Sequence, residues 1–343
     1  YLTEELVNQG HDVTLFASGD SVTNAELVPI VPRALRLDAA CQDPLVHHIL
    51  VLETIIQRAA EFDVIHYHID YLHFPISRRL PTAHLTTLHG RLDLRDLQAI
   101  YREFHDAPVV SISSAQRRPL PHANWIGTVP HGLPTELYEP GYPSEPYFLF
   151  LGRVSPEKRP DRAIEIAKAT GVTIRIAAKV DAADKQYFED HIEPLLDHAL
   201  VDFIGEVGES EKAELLGRAQ ALLFPIDWPE PFGLVLIEAM ACGTPVVAFR
   251  CGSVPEVIED GVTGFIVDDL DGGVAAALKT LTLDRHRIRQ EFERRFSASR
   301  MARDYVRLYE QLVAAGPRRA GQLLPATDVS RSPSAGGRPP RAA

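Results

Sequence analysis

The sequence is poor in the features that mark several protein classes. Three cysteines in 343 residues, Cys41, Cys242 and Cys251, stand far apart with no Cys-x-x-Cys pair. That excludes a disulfide framework or a zinc knuckle and suits a reducing compartment. No stretch approaches 18 consecutive apolar residues, and no basic segment with an apolar core and a cleavage site opens the chain, so neither a spanning helix nor a secretory leader is expected and a cytoplasmic location is. Positive charge is also short: 35 Lys and Arg face 47 Asp and Glu, a net charge of -12. Proteins that neutralise nucleic-acid phosphates are normally basic, so no nucleic-acid partner is expected. The two common glycine fingerprints, GxxxxGK[ST] and GxGxxG, are missing, which excludes a nucleoside-triphosphate loop and the dinucleotide turn.

What is present is the composition of a soluble globular protein, 45% hydrophobic and 24% charged. The length predicts two domains. Short apolar runs bounded by turn residues recur at 11–17, 62–66, 83–88, 108–112 and 128–130, with helical stretches such as 48–60 and 94–105 between them. Strands alternating with helices predict a parallel sheet covered on both faces. A linker rich in proline spans 135–146, and six more strands follow at 147–151, 173–178, 201–204, 221–225, 245–249 and 264–267. The fold class is therefore α/β, with two doubly wound domains in tandem: 1–134, then 147–296. A helix over 297–315 is expected to pack back on the first domain. The tail, 316–343, is rich in Pro, Gly, Ser and Arg, carries a net +4, and is expected to be disordered. Sheets of this kind bind ligands beyond the carboxyl ends of their strands, so the site is expected in the cleft between the two.

Two stretches carry the chemistry. In the first, Gly152-Arg153 and Lys158 follow a strand and precede a helix, a place where two cations and aligned amides act together on a diphosphate. In the second, Glu230-Pro-Phe232-Gly233-Leu234 leads into a helix that the pattern starts near Pro231 and closes at Gly243, with Glu238 inside it. The free N–H groups of such a helix start favour anions and hydroxyl oxygens. Two carboxylates about 10 Å apart along a helix suit two hydroxyl-bearing groups of one extended ligand. Each stretch alone is equally consistent with solvated loop charges and a glutamate complementing a helix dipole.

Taken together with Phe203-Ile-Gly205, Gly252-Ser-Val-Pro-Glu256, Asp260-Gly-Val-Thr-Gly264, Gly10-His-Asp-Val, Asp63-Val-Ile-His-Tyr-His68, Thr86-Thr-Leu-His89-Gly90 and His131-Gly-Leu, these stretches resemble the retaining GT-B glycosyltransferases of family 4. The resemblance covers about residues 1–315. It implies two Rossmann-like domains facing across a cleft and transfer of a sugar from a nucleoside-diphosphate sugar, UDP-sugar by default, to an acceptor that is a small molecule, a lipid-linked group or a polysaccharide. It also implies no cofactor and no metal. Arg153 and Lys158 resemble the pair that holds the donor diphosphate. Glu238 resembles the ribose-binding glutamate, and Glu230, with the backbone of Phe232, Gly233 and Leu234, the group that holds the donor sugar. His89 matches the histidine set against the transferred sugar, and the backbone from Gly205 to Val207 would lie near the base. Family members begin with a strand and a glycine-rich loop that have no counterpart before Tyr1, so the resemblance implies N-terminal truncation, a first domain lacking its first strand and, as an alternative, a sugar-nucleotide-binding protein impaired in catalysis.

Three weaker signals point elsewhere. His66 and His68 fall on one face of a strand end, the opening of a metal-dependent hydrolase site. Asp269-Leu-Asp271 is literally the manganese signature of another glycosyltransferase fold, in a position that reads as a surface loop. Arg285, Arg287, Arg289, Arg294, Arg295, Arg300 and Arg303 crowd the last helices. They read as a solvated face interleaved with glutamates, with a weak peripheral membrane contact as the rival.

Overall fold

The computed structural model describes residues 1–143 and 146–316; most of the segment read as a tail, and Ser144 and Glu145 of the linker, lie outside the described residues. Among the described residues, all twelve strands run parallel to their neighbours, as expected of an α/β chain. In the first half, β1 (Thr14–Ser18) pairs only with β2 (Glu26–Val31), and β3 (Val64–Tyr67), β4 (Ala83–Thr87), β5 (Pro108–Ser111) and β6 (Asn124–Thr128) form a separate four-stranded sheet in sequence order. The second half carries one six-stranded sheet from β7 (Tyr147–Arg153), β8 (Thr173–Lys179), β9 (Val201–Phe203), β10 (Ala221–Phe224), β11 (Val246–Phe249) and β12 (Gly264–Val267), in the order β12-β11-β10-β7-β8-β9.

That order reverses direction between β7 and β10, which stand side by side in the sheet. The loops leaving their carboxyl ends therefore diverge, and open the crevice in which ligands of such sheets bind. Helices cover both faces of this sheet, so β10 and β11 are buried at every residue and read as unbroken apolar runs.

Helix boundaries follow local chemistry. The helix Leu2–Asn8 (α1) precedes Pro44–Arg58 (α2), whose Asp43 accepts from the Leu45 N–H. The helix Pro160–Thr170 (α3) carries proline in its first turn and ends on Gly171 at φ +70°, as the sequence predicts. Glu209–Arg218 (α4) and Leu234–Ala241 (α5) flank the site, and Arg285–Phe296 (α6) runs into Ala298–Ala314 (α7). On α7, Met301, Tyr305 and Leu308 pack against Leu85, Val110 and Val129 of the first half, so the chain begins its second half, crosses back and closes on the first. At the crossing, Leu133 exchanges backbone bonds with Phe296 and Ala298. A Cβ on Gly132 would fall on the Ser297 carbonyl.

Three sequence expectations need correction. β2 was not foreseen: Pro29 interrupts its run, which the fold tolerates because β2 has a partner on one side only. The strand expected at 128–130 is Asn124–Thr128, hidden by its polar, half-buried residues. Of the seven arginines that crowd α6 and α7 from Arg285 to Arg303, Arg287 and Arg294 do form an exposed face interleaved with Glu291 and Arg303 is exposed, but the other four turn inward. Arg285 donates to the carbonyls of Gly141, Gly217 and Ala219; Arg289 to those of Thr135, Tyr138 and Ala241; Arg295 to Glu256 and Val257; and Arg300 to Pro130 and His131. A guanidinium presents five donors in a fixed fork, and here those forks tie both chain crossings to the second half. No helix among the described residues is long and apolar enough to cross a membrane.

Candidate functional site

The loop after β7 and the loop after β10 enclose a cavity of about 260 Å³ whose walls include Arg153, Lys158, Glu230, Gly233 and Leu234. The Lys158 ammonium bonds the Glu230 carboxylate, and both side chains are largely covered. The Trp228 indole N–H donates to the same Glu230 oxygen at 3.1 Å, and Lys158 Nζ lies 5.1 Å from the Trp228 ring. Arg153 is half exposed and makes long contacts to Glu157 (3.6 Å) and Asp181 (3.5 Å), which water weakens. A polyanion entering the cavity thus meets one loosely held guanidinium and one ammonium already neutralised. Arg159, the residue before α3, sits at φ +54° and is one of two non-glycine residues in the left-handed region among those described. Strain of this kind persists where the surroundings fix the backbone; here ion pairs from Arg159 to Asp161 and Asp227 do so.

The helix expected from Pro231 begins at Leu234, because Gly233 turns into the left-handed region at φ +79° and serves as its N-cap. Glu230 lies in the loop, so the helical rise does not set its separation from Glu238. The Ser253 N–H donates to the Glu230 carbonyl at 3.0 Å and the Ser253 hydroxyl to the Phe232 carbonyl at 2.9 Å. Gly252 beside it adopts φ +55°, and a side chain there would strike the Glu230 backbone. Phe232 itself is a core side chain outside the cavity lining.

Glu238 points away from this cavity toward α4. There Lys212 Nζ binds it at 2.9 Å and Glu209 at 3.0 Å, with the Tyr138 hydroxyl on Glu209. Burial raises the Glu238 carboxyl above its ordinary value, with Lys212 opposing. Sequence reasoning missed Lys212, which sits 26 positions away on another helix. Gly205 and Val207 follow β9, two strands removed from β7 and outside the cavity lining.

Across the cleft, four imidazoles form a contiguous wall from the ends of β3 and β4 and the loop after β6. His89 Nε2 is hydrogen-bonded to His68 Nδ1 at 2.9 Å and stacks on His131 with ring centroids 5.3 Å apart. His131 meets the edge of Phe232, so the wall touches the second half. Burial first, and neighbouring imidazoles second, hold His68 and His131 down to about 3; His89 is lowered by burial against the pull of Asp70. The wall is therefore neutral at physiological pH. The hydrolase reading of His66 and His68 fails on geometry: the His66 nitrogens are taken by the Tyr309 and Thr87 hydroxyls, each at 2.8 Å. No group of three or more His, Cys, Asp or Glu side chains suited to an ion occurs among the described residues. Asp269 caps the helix Leu270–Lys279 by accepting from the Gly272 N–H.

The halves are clasped beside the site. Glu256 accepts from the backbone N–H groups of Ser114 and Ala115, both at 2.7 Å, and the Ser113 hydroxyl donates to the Pro231 carbonyl at 2.6 Å.

Comparison with known proteins gives this arrangement a family. Residues 1–137 match the model for Glycosyltransferase Family 4 and residues 139–298 the model for glycosyl transferases group 1. The chain belongs to the family 4 glycosyltransferases. It is 30% identical to a phosphatidyl-myo-inositol mannosyltransferase of Mycolicibacterium smegmatis over 258 residues, 68% of this chain and 65% of the relative. The first curated relatives it matches are longer proteins, of which it spans between 36% and 65%. The crystal structure of AviGT4, a glycosyltransferase of avilamycin A biosynthesis, superposes with a TM-score of 0.66 at 25% identity, covering 92% of this chain and 89% of that one. An Anabaena protein, HepE, solved with UDP and glucose, shares the fold at 18% identity and a TM-score of 0.65, covering 83% of this chain and 86% of that one. Family 4 members of this GT-B architecture are built from two Rossmann-like halves, as here.

Proposed function

We propose that this chain transfers a sugar from a nucleoside-diphosphate sugar, UDP-sugar by preference, to an acceptor hydroxyl with retention of configuration. The observation that carries the reading is the convergence of Arg153, Lys158, Glu230 and the first turn of α5 on one cavity at the switch point of the second sheet. The UDP bound by HepE favours uridine as the base. Arg153, Lys158 and the α5 N–H groups hold the diphosphate, and their attraction grows as the leaving group gains charge, so they stabilise the transition state more than the ground state. No metal is required for this; the two cations take the part a divalent ion plays elsewhere. Glu230 holds sugar hydroxyls and Glu238 those of the ribose, while neutral His89 faces the transferred sugar from the first half. The anomeric carbon–phosphate oxygen bond breaks, the acceptor oxygen bonds the same face of that carbon, and the acceptor proton passes to the departing phosphate oxygen.

Thermal unfolding with UDP, GDP, ADP and their sugars tests the donor site. A ligand at 100 times its Kd adds about 2.7 kcal/mol of stability, so one nucleotide class is expected to raise the melting temperature by several degrees, undiminished by EDTA, and Arg153→Ala and Lys158→Ala to abolish the rise. No shift with any nucleotide would overturn the reading. Phosphatidyl-myo-inositol, named for the mycobacterial relative, is the first acceptor to try.

A further inference from the structure

Arg91 lies two residues beyond His89 in the loop that leaves β4. That loop is fixed from beneath: the buried Gln116 amide donates to the Leu88 carbonyl at 2.9 Å and the Gly90 carbonyl at 3.0 Å. The guanidinium is held in turn by Asp93, with Nε on Oδ1 at 2.8 Å and Nη2 on Oδ2 at 2.7 Å. A bidentate pair of this kind sets the plane of the fork. So oriented, the guanidinium carbon lies 6.0 Å from the Trp228 ring centroid, across the cleft in the second half.

Trp228 is bound to Glu230, and Lys158 sits against the same ring. The Arg91 guanidinium is raised above its ordinary value first by the hydrogen bond to Asp93, with a contribution from Glu157, a residue of the loop between Arg153 and Lys158. The Trp228 contact therefore places Arg91 beside the second-half loop that carries Glu230, on the same ring that Lys158 approaches. The side chain is 53% exposed, so its charge is open to an incoming ligand.

We propose that Arg91 is a third cation of the donor site, supplied by the opposite half, and that it contacts the donor diphosphate directly. This rests on the donor reading above. Each cation already in the pocket has carboxylate partners, Glu157 and Asp181 on Arg153 and Glu230 on Lys158. A diphosphate carries more negative charge than that arrangement leaves uncompensated. A guanidinium on the facing wall, its plane set by Asp93 and its side chain half exposed, adds donors from the first half and makes donor binding a bridge between the halves.

The test is calorimetric titration of the full chain with whichever of UDP, GDP or ADP binds it, and with the matching nucleoside, at two salt concentrations. Arg91→Ala removes the side chain; Arg91→Met keeps an unbranched stem against Trp228 and removes only the charge. Both are expected to weaken the nucleoside diphosphate about tenfold, to flatten its salt dependence, and to leave nucleoside affinity and melting temperature unchanged. Wild-type diphosphate affinity in Arg91→Met, or equal losses for nucleotide and nucleoside, would overturn the proposal. If Arg153→Ala abolishes diphosphate binding while both Arg91 variants retain it, the donor reading stands and this inference alone falls. If the unaltered chain binds none of the three nucleotides, both fall together.

Discussion

Glu230 and Glu238 stand eight positions apart and live in different surroundings. Glu230 is bound by Lys158 and Trp228 beside the cavity, whereas Glu238 is buried against Lys212 under α4. Their replacements therefore have different consequences. Glu238→Ala leaves the Lys212 ammonium with Glu209 alone and removes the proposed ribose contact, so nucleotide Kd is expected to rise tenfold or more by titration, as for the loss of a hydrogen bond to a charged group. Glu230→Ala frees Lys158 from its carboxylate while removing the proposed sugar contact, so steady-state kinetics are expected to show a kcat loss of at least tenfold with little change in nucleotide Kd. Equal losses of nucleotide affinity in both variants would refute the separate roles. The sequence marked both glutamates through their spacing around Pro-Phe-Gly, yet Lys212, Trp228 and Arg91 stayed invisible. Each acts through a partner on another element, and no local pattern records which residue a long side chain will reach.

At the level of elements, α6 and α7 show how far composition misleads. Seven arginines in 19 residues read as a polar face, but four of them turn inward to backbone carbonyls of the linker, the second half and the chain crossing. Arg289 bonds three carbonyls from the linker and the end of α5. Arg289→Ala leaves those acceptors without their donor, at a cost of about 2 kcal/mol or more, and urea unfolding is expected to show the midpoint falling accordingly. Arg303→Ala, on an exposed side chain bonded only to the Ser299 hydroxyl, is expected to change it by less than 0.5 kcal/mol, the usual range for surface positions. Periodicity did fix α3 and the buried strands β10 and β11 closely, because continuous burial and strong caps leave few alternatives. It missed β2 and displaced β6, both of which pair on one side only and carry polar or proline residues.

The whole molecule carries an unusual load of neutral imidazole. His73 is enclosed between the Ser77 and Thr86 hydroxyls, stacked on Tyr67, and burial holds it down to about 2; His68 and His131 are held to about 3. In the unfolded chain each titrates near 6.5. A depressed folded value means the unfolded chain binds more protons below that point, so this stability is fully present above pH 6.5 and is lost as pH falls through the window toward 3. The melting temperature is expected to decline steadily below about pH 6.5, and His73→Gln to flatten that decline while lowering stability at pH 7.5. An unchanged slope would place the acid sensitivity elsewhere.

The amino-acid sequence by itself determined the alternation of strand and helix, the break near residue 140 and the motifs of both site loops, because hydrophobic period, turn residues and caps act over a few neighbours. The tertiary structure decided which loops face each other. β7 and β10 are adjacent although 74 positions separate their first residues, Tyr147 and Ala221, and that adjacency alone brings Lys158 to Glu230. The return of α7 to the first half and the clasp of Glu256 on Ser114 and Ala115 then set Arg91 and the histidine wall against the same loops. Such meetings depend on sheet order and on which apolar face remains to be covered, quantities that no local window of sequence contains.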